Sequence, residues 1–240
     1  MRGEATGEEL FLHDAYLREF DARVARISGR EVWLEHTAFY PGGGGQPHDK
    51  GTLKVGPIEA RVVDVQRREG EIVHVTDAPI PQTVEHLVGE LDWERRYAHM
   101  RHHTALHVLS AVLWRDYGAK VTGGKIYADR ARTDFSYPGE WSAELVEEIQ
   151  AAANRELAAE RPVKVYDLTP EEAGRKDLIR TRASLVPEEL ESVRVVEIEG
   201  LDAQADGGTH VANIREVGRL EITSHKSKGR DNKRVEFVLR

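Results

Sequence analysis

Residues 101–107 read RHHTALH, three histidines in seven positions. His103 and His107 are four apart, so on a helix both imidazoles leave one face and can converge on a metal ion. His99 and His103 share that spacing, which leaves the register open, and ordinary surface histidines fit the same pattern. His102 points elsewhere and has no histidine four residues on. Helical metalloproteases place Glu directly after the first histidine as general base; Thr104 stands there instead, which removes the protease reading.

The segment DGGTH, residues 206–210, repeats the four-residue spacing with Asp206 and His210, here on a Gly-Gly turn. Glycine allows a tight turn and close approach of the backbone to a ligand. A plain turn in which Asp206 bonds the backbone is the alternative. Together His103, His107, Asp206 and His210 make a four-ligand set, or three ligands and an open position.

Those residues need elements to carry them. Residues 1–90 read as short strands: ARVARISGREVWLEHTAF turns at Ser28-Gly29, and IEARVVDVQRREGEIVHVTD turns at Glu69-Gly70. Such hairpins without helical periodicity predict a small, glycine-rich β-barrel. Pro79 and Pro81 mark a connection. After Leu91 the period changes. DWERRYAHMRHHTALHVLSAVLWRDYG is a helix capped by Asp92 and ended by Gly118. A strand pair spans 121–136, and a second long helix follows Ser142. A capping box, Thr169 with Glu172, opens TPEEAGRK. VRVVEIEG is a strand, and the tail forms two more around KSKGRDNK. The expected class is α+β: a barrel over 1–90, then a metal-binding core over 91–240 with a mixed or antiparallel sheet and long helices.

Composition bounds the function. The chain has 240 residues and a formal charge of −8, which argues against a non-specific coat for nucleic acid. Local recognition stays open, because His225 to Arg240 holds seven basic or histidine residues against Asp231 and Glu236. That tail reads either as a solvated hairpin or as a contact surface for phosphates. No apolar run is long enough to span a membrane, so no membrane partner is expected. With no cysteine and no signal-peptide pattern, the expected location is the cytoplasm.

RHHTALHVLSAVL and DGGTHVANIREVG resemble the HxxxH and CxxxH motifs of alanyl-tRNA editing domains. HTAFYPGGGGQPHDKGTL is similar to the T-x-F-Y-P-x-x-G-G-Q-x-x-D-x-G signature of the same module, and RTDFSY to its Asp-Phe-Ser strand. The likeness runs from about residue 10 to the end, and is closest to the free-standing, medium-length AlaX group. It implies a trans-editing deacylase, acting as a monomer on the 3′ end of alanine tRNA mischarged with serine or glycine. It also implies one Zn²⁺ per chain on His103, His107, His210 and position 206. The family commonly has Cys at that last position. Asp206 is a harder ligand than a thiolate, which leaves metal selectivity open, and it can instead orient a histidine.

The chemistry expected of that likeness is discrimination by one hydroxyl. An apolar synthetase pocket rejects an added hydroxyl only by ~100-fold, whereas a site that bonds it acts selectively. Thr104 and Thr122 are the expected hydroxyl partners, with Thr209 beside them in the substrate site or bonded to its own turn. Gly43, Gly44, Gly45 and Gln46 form a loop expected to approach the tRNA end. Gly207 and Gly208 are expected to offer N–H groups to the oxyanion. On that reading, enlarging Gly208 abolishes turnover and leaves metal content intact. The rivals are a zinc-stabilised RNA-binding module without hydrolytic activity, which chelation would unfold, and a hydrolase of unrelated acyl esters.

Overall fold

The computed structural model describes residues 7–175, 178 and 191–240. The chain divides into two compact units, Met1–Tyr97 and Ala98–Arg240.

The first unit is built on strands β1 (Glu8–Glu9), β2 (Glu19–Ser28), β3 (Glu31–Leu34), β4 (His36–Thr37), β5 (Gly51–Val55), β6 (Ile58–Arg68), β7 (Glu71–Thr76) and β8 (His86–Leu91). Six of them close a barrel in the order β2-β3-β7-β6-β5-β8, which removes unpaired sheet edges. β1 and β4 pair in parallel outside it. Both expected hairpin turns are present, with Gly29 at φ 62°, Glu69 at φ 52° and Gly70 at φ 89°. Alternation sends Phe20, Ala22, Ala60, Val62, Val65, Leu87 and Leu91 into one interior, where Phe11, Phe39 and Leu53 are also buried.

Helix α1 (Trp93–Tyr117) starts as expected: Arg95 N–H donates to Asp92 Oδ1 at 3.1 Å, and Gly118 ends it at φ 62°. In the second unit β9 (Lys120–Ile126) and β10 (Ala131–Ser136) form the expected pair. α2 (Ala143–Leu157) is capped by Ser142, which accepts from Leu145 N–H at 3.2 Å. β11 (Val163–Leu168) precedes α3 (Pro170–Arg175), whose capping box joins Thr169 and Glu172; Lys176 of the expected segment lies outside the described residues. β12 (Val193–Ile198), β13 (Asp202–Ala205), β14 (Leu220–Ser227) and β15 (Asn232–Leu239) complete the unit.

Two antiparallel sheets result, ordered β14-β15-β10-β9 and β11-β12-β13. The α+β class is therefore as the sequence predicts, but β11 and β13 were not foreseen, and the core divides its strands between two sheets. Among the described residues no helix is long and apolar enough to cross a membrane.

Candidate metal centre

α1 and the 206–210 turn bring His103, His107, Asp206 and His210 together. Each offers a ligand atom, and all four atoms lie within 4.8 Å of one another. The helix supplies two imidazoles one turn apart. The turn supplies the other two donors because β13 ends there and Asp206 is tied back to β12: Asp206 N–H donates to Arg194 O at 3.2 Å, and Arg194 Nη1 donates to Asp206 O at 2.7 Å. The three imidazole rings sit 4.3, 4.6 and 5.2 Å apart between centroids.

Asp206 Oδ1 lies 3.6 Å from His103 Nε2, and Oδ2 lies 3.0 Å from His210 Nε2. Donors about 2.1 Å from one tetrahedral ion would stand roughly 3.4 Å apart, so these separations match the edge of such a site. The donor set also fits in charge. Burial pushes His103 and His210 down to about 4, so both imidazoles are neutral at pH 7 and keep lone pairs to give. Burial alone would raise Asp206, but His103, then His210 and His107, outweigh it and hold the carboxyl well below the usual range. Three imidazoles and a carboxylate can hold a divalent ion here.

The surroundings orient these donors. Thr104 is wholly buried, and its Oγ1 accepts from Val211 N–H at 3.2 Å and bonds His210 Nδ1 at 3.2 Å. If Nδ1 carries the proton and donates to Thr104, Nε2 presents its lone pair toward the other donors. Gly208 is needed for contact rather than for an unusual φ. A Cβ there would stand 2.3 Å from His103 Cε1 and 2.5 Å from Nδ1.

Several expectations are corrected. The Gly208 N–H donates to Asp206 Oδ2 at 2.6 Å, so it serves the carboxylate and not an oxyanion. A side chain at position 208 would meet the His103 ring. Thr122 does not join the four donors; its hydroxyl donates to Asn232 Oδ1 at 3.3 Å, where a bulge at Asp134/Phe135 shifts the β9 register. Thr209 is fully buried in its turn. Gly207 is open, with nothing within 4 Å of a Cβ built on it. His102 packs on Phe237 with ring centroids 6.2 Å apart and donates Nδ1–H to Ala98 O, a core role.

The glycine loop belongs to the barrel unit. Gly43 and Gln46 exchange both backbone hydrogen bonds, at 3.0 and 2.8 Å, across a turn in which Gly42 to Gly45 all have positive φ. Gly43, Gly44 and Gly45 are exposed, whereas Gln46 is buried at 2 % exposure, so the glycines form the exposed part of the loop. The loop hangs on a fully buried ion pair: Asp49 Oδ2 accepts from Tyr40 N–H at 2.7 Å and from both Arg96 Nε and Nη2. Nearby, Thr37 hydrogen-bonds His74 Nε2 at 2.8 Å while His74 Nδ1–H donates to Val32 O at 3.0 Å. Arg96, His74 and Arg194 were not singled out from the sequence. Thr37 and Asp49 sit inside the quoted glycine signature, which was the available signal for the first two; nothing local marks Arg194.

Comparison with known proteins bears on both units. The family described as threonyl and alanyl tRNA synthetase second additional domain matches residues 193–236, and class II (A) tRNA synthetases match residues 7–95. The alanyl-tRNA editing protein AlaX-M of Saccharolobus solfataricus is 41% identical over 236 residues, covering 97% of this chain and 99% of that protein. AlaX-M of Methanosarcina acetivorans is 37% identical over 243 residues, covering 97% and 98%. The alanine–tRNA ligase of Ignicoccus hospitalis is 38% identical over 239 residues, which are 99% of this chain but 26% of the ligase.

Proposed function

This chain belongs to the alanyl-tRNA editing proteins, and from that premise we propose that it is a trans-acting aminoacyl-tRNA deacylase that clears serine, and also glycine, from alanine tRNA at a Zn²⁺ centre. The observation that carries the reading is the convergence of His103, His107, Asp206 and His210, buried donors from two remote segments, in a member of that family. A divalent ion held there supplies a Lewis acid for the ester carbonyl and a fixed point for the amino group.

The chain's own residues do the rest. The three histidines and Asp206 would hold the ion, and the anionic carboxylate would offset half of a divalent charge. Thr104 has one hydroxyl proton and two lone pairs. With Val211 N–H and His210 Nδ1–H on the lone pairs, its O–H donor is left for the serine hydroxyl, which alanine lacks. Gly207 is the remaining backbone donor for the oxyanion, since Gly208 is committed to Asp206. In the barrel unit the exposed Gly43 to Gly45 turn offers backbone to the tRNA. Water adds to the ester carbon, the acyl–oxygen bond to ribose breaks, and the ribose oxygen takes the proton. Among the described residues no second carboxylate stands in the cluster to act as general base, so the protein's part is to position substrate for an ordered water, helped by the terminal ribose hydroxyl.

The test is deacylation of serine-, glycine- and alanine-charged alanine tRNA, with elemental analysis of the same preparation. Loss of serine with alanine retained, and about one zinc per chain, is expected. Hydrolysis of all three alike, or none, ends the reading.

A further inference from the structure

The sheet β14-β15-β10-β9 has one face turned inward: Ala131, Thr133 and Phe135 on β10, and Val235 and Phe237 on β15, are buried. Its register fixes what the other face presents. Lys125 stands opposite Arg132, and Arg132 opposite Glu236. One row along, Asp134 stands opposite Arg234, and Arg234 opposite Lys226. The third row places Lys120 opposite Ser136 and Ser136 opposite Asn232, whose backbone O accepts from Lys228 N–H at 2.7 Å. Neighbouring strands lie ~5 Å apart and successive rows ~7 Å apart.

Two of these cross-strand pairs, Lys125 with Arg132 and Lys226 with Arg234, set like charge against like, which destabilises a sheet. The acids on this face are already used: Asp134 takes two hydrogen bonds from Arg234 at 2.5 and 2.6 Å, and Glu236 pairs with Arg130 at 2.9 Å. Lys125, Arg132, Lys226 and Lys228 have no ion pair among the described residues, and all but the half-buried Arg132 are exposed. A chain of net charge −8 thus gathers cations without ion pairs of their own on one face, at a cost to its own sheet.

We infer that this face binds the phosphate backbone of an RNA stem, the acceptor stem of the tRNA whose end is hydrolysed. The inference deepens the deacylase reading, on which the choice of RNA rests. The rows carry no aromatic side chain, so the face lacks a platform for unstacked bases; it offers point charges to phosphates, the sequence-independent mode by which duplex RNA is held. Phosphates bring the counter-charge that the like-charged pairs lack.

The test uses the full chain and the double variant Lys125→Glu with Lys226→Glu. Each substitution turns a like-charge pair into an opposite-charge pair, so thermal stability should hold or rise. Binding of a fluorescent, uncharged acceptor-stem RNA hairpin, followed by anisotropy across salt concentration, should weaken roughly ten-fold at ~0.1 M salt. The slope of log Kd against log salt should fall by about 2. Deacylation of serine-charged tRNA should show a raised KM with kcat kept, and hydrolysis of a small serine ester should not change. An unchanged Kd and slope overturn the surface, whatever the enzyme does. If the hairpin result holds but the unaltered chain deacylates no tRNA, the surface stands and the deacylase reading falls.

Discussion

Both units bury polar and ionisable side chains, and they settle them in opposite ways. In the barrel, Asp49 meets Arg96 and His74 meets Thr37 and Val32, so charge and proton are each answered by another part of the fold. In the second unit, three imidazoles and a carboxylate converge on one point, with His210 Nε2 3.0 Å from Asp206 Oδ2. Buried polar groups that complete one another are scaffold. Buried ligand-type donors that crowd onto one point are a candidate site, because one cation can take a ligand from each.

Gly208→Ala gives the sharpest contrast. Its Cβ must push His103 aside, so metal content and turnover should fall together, turnover by about 10³-fold, or ~4 kcal/mol. Circular dichroism should report an intact fold. Full metal occupancy in this variant would break the distinction.

Arg96→Met should do the reverse. It strands Asp49 in the barrel core and should cost about 3–5 kcal/mol in urea unfolding, with folded molecules still binding metal. Adding Asp49→Leu should restore most of the loss. A cost below ~1 kcal/mol would show that the pair is not scaffold.

His74 sharpens the point through pH. Burial lowers it from 6.5 to about 4, so it stays neutral in the folded barrel while the unfolded chain takes up a proton. Its contribution is complete above pH 6.5 and is lost as pH falls toward 4, about 3 kcal/mol in all. His74→Gln should flatten that part of the stability curve; an unchanged curve would exclude His74 as its source.

The smallest effect belongs to Thr104→Val, which keeps the shape and removes the bond to His210. Metal affinity should weaken 10–100-fold by competition with a chelator, a loss of ~1–3 kcal/mol. Unaltered affinity would mean that His210 needs no buttress.

What could be read from the residues alone follows the range of the interaction. The Ser28-Gly29 and Glu69-Gly70 turns, the Ser142 cap and the Thr169–Glu172 box are local chemistry, and each stands where the pattern puts it. The four donors were legible because each pair lies on one turn of chain. β11 escaped because its residues are all half-buried or exposed and show no apolar face. The roles of Arg96, Arg194 and Gly208 escaped because they depend on partners remote in sequence or on steric contact, which spacing does not encode. The burial of Gln46 was not legible for the same reason: a glycine run announces a tight turn but not which neighbouring side chain the turn folds inward.

The barrel closes on itself, but among the described residues β9 and β14 have no further strand beside them; Asn154 and Gln150 bond the start of β14 at Leu220 and Ile222. Those two strands carry Lys120, Lys125 and Lys226, with Lys228 just beyond. A second molecule zipping onto either rim would have to bring ammonium against ammonium, so the sheet resists growing into a fibre for as long as its lysines stay charged.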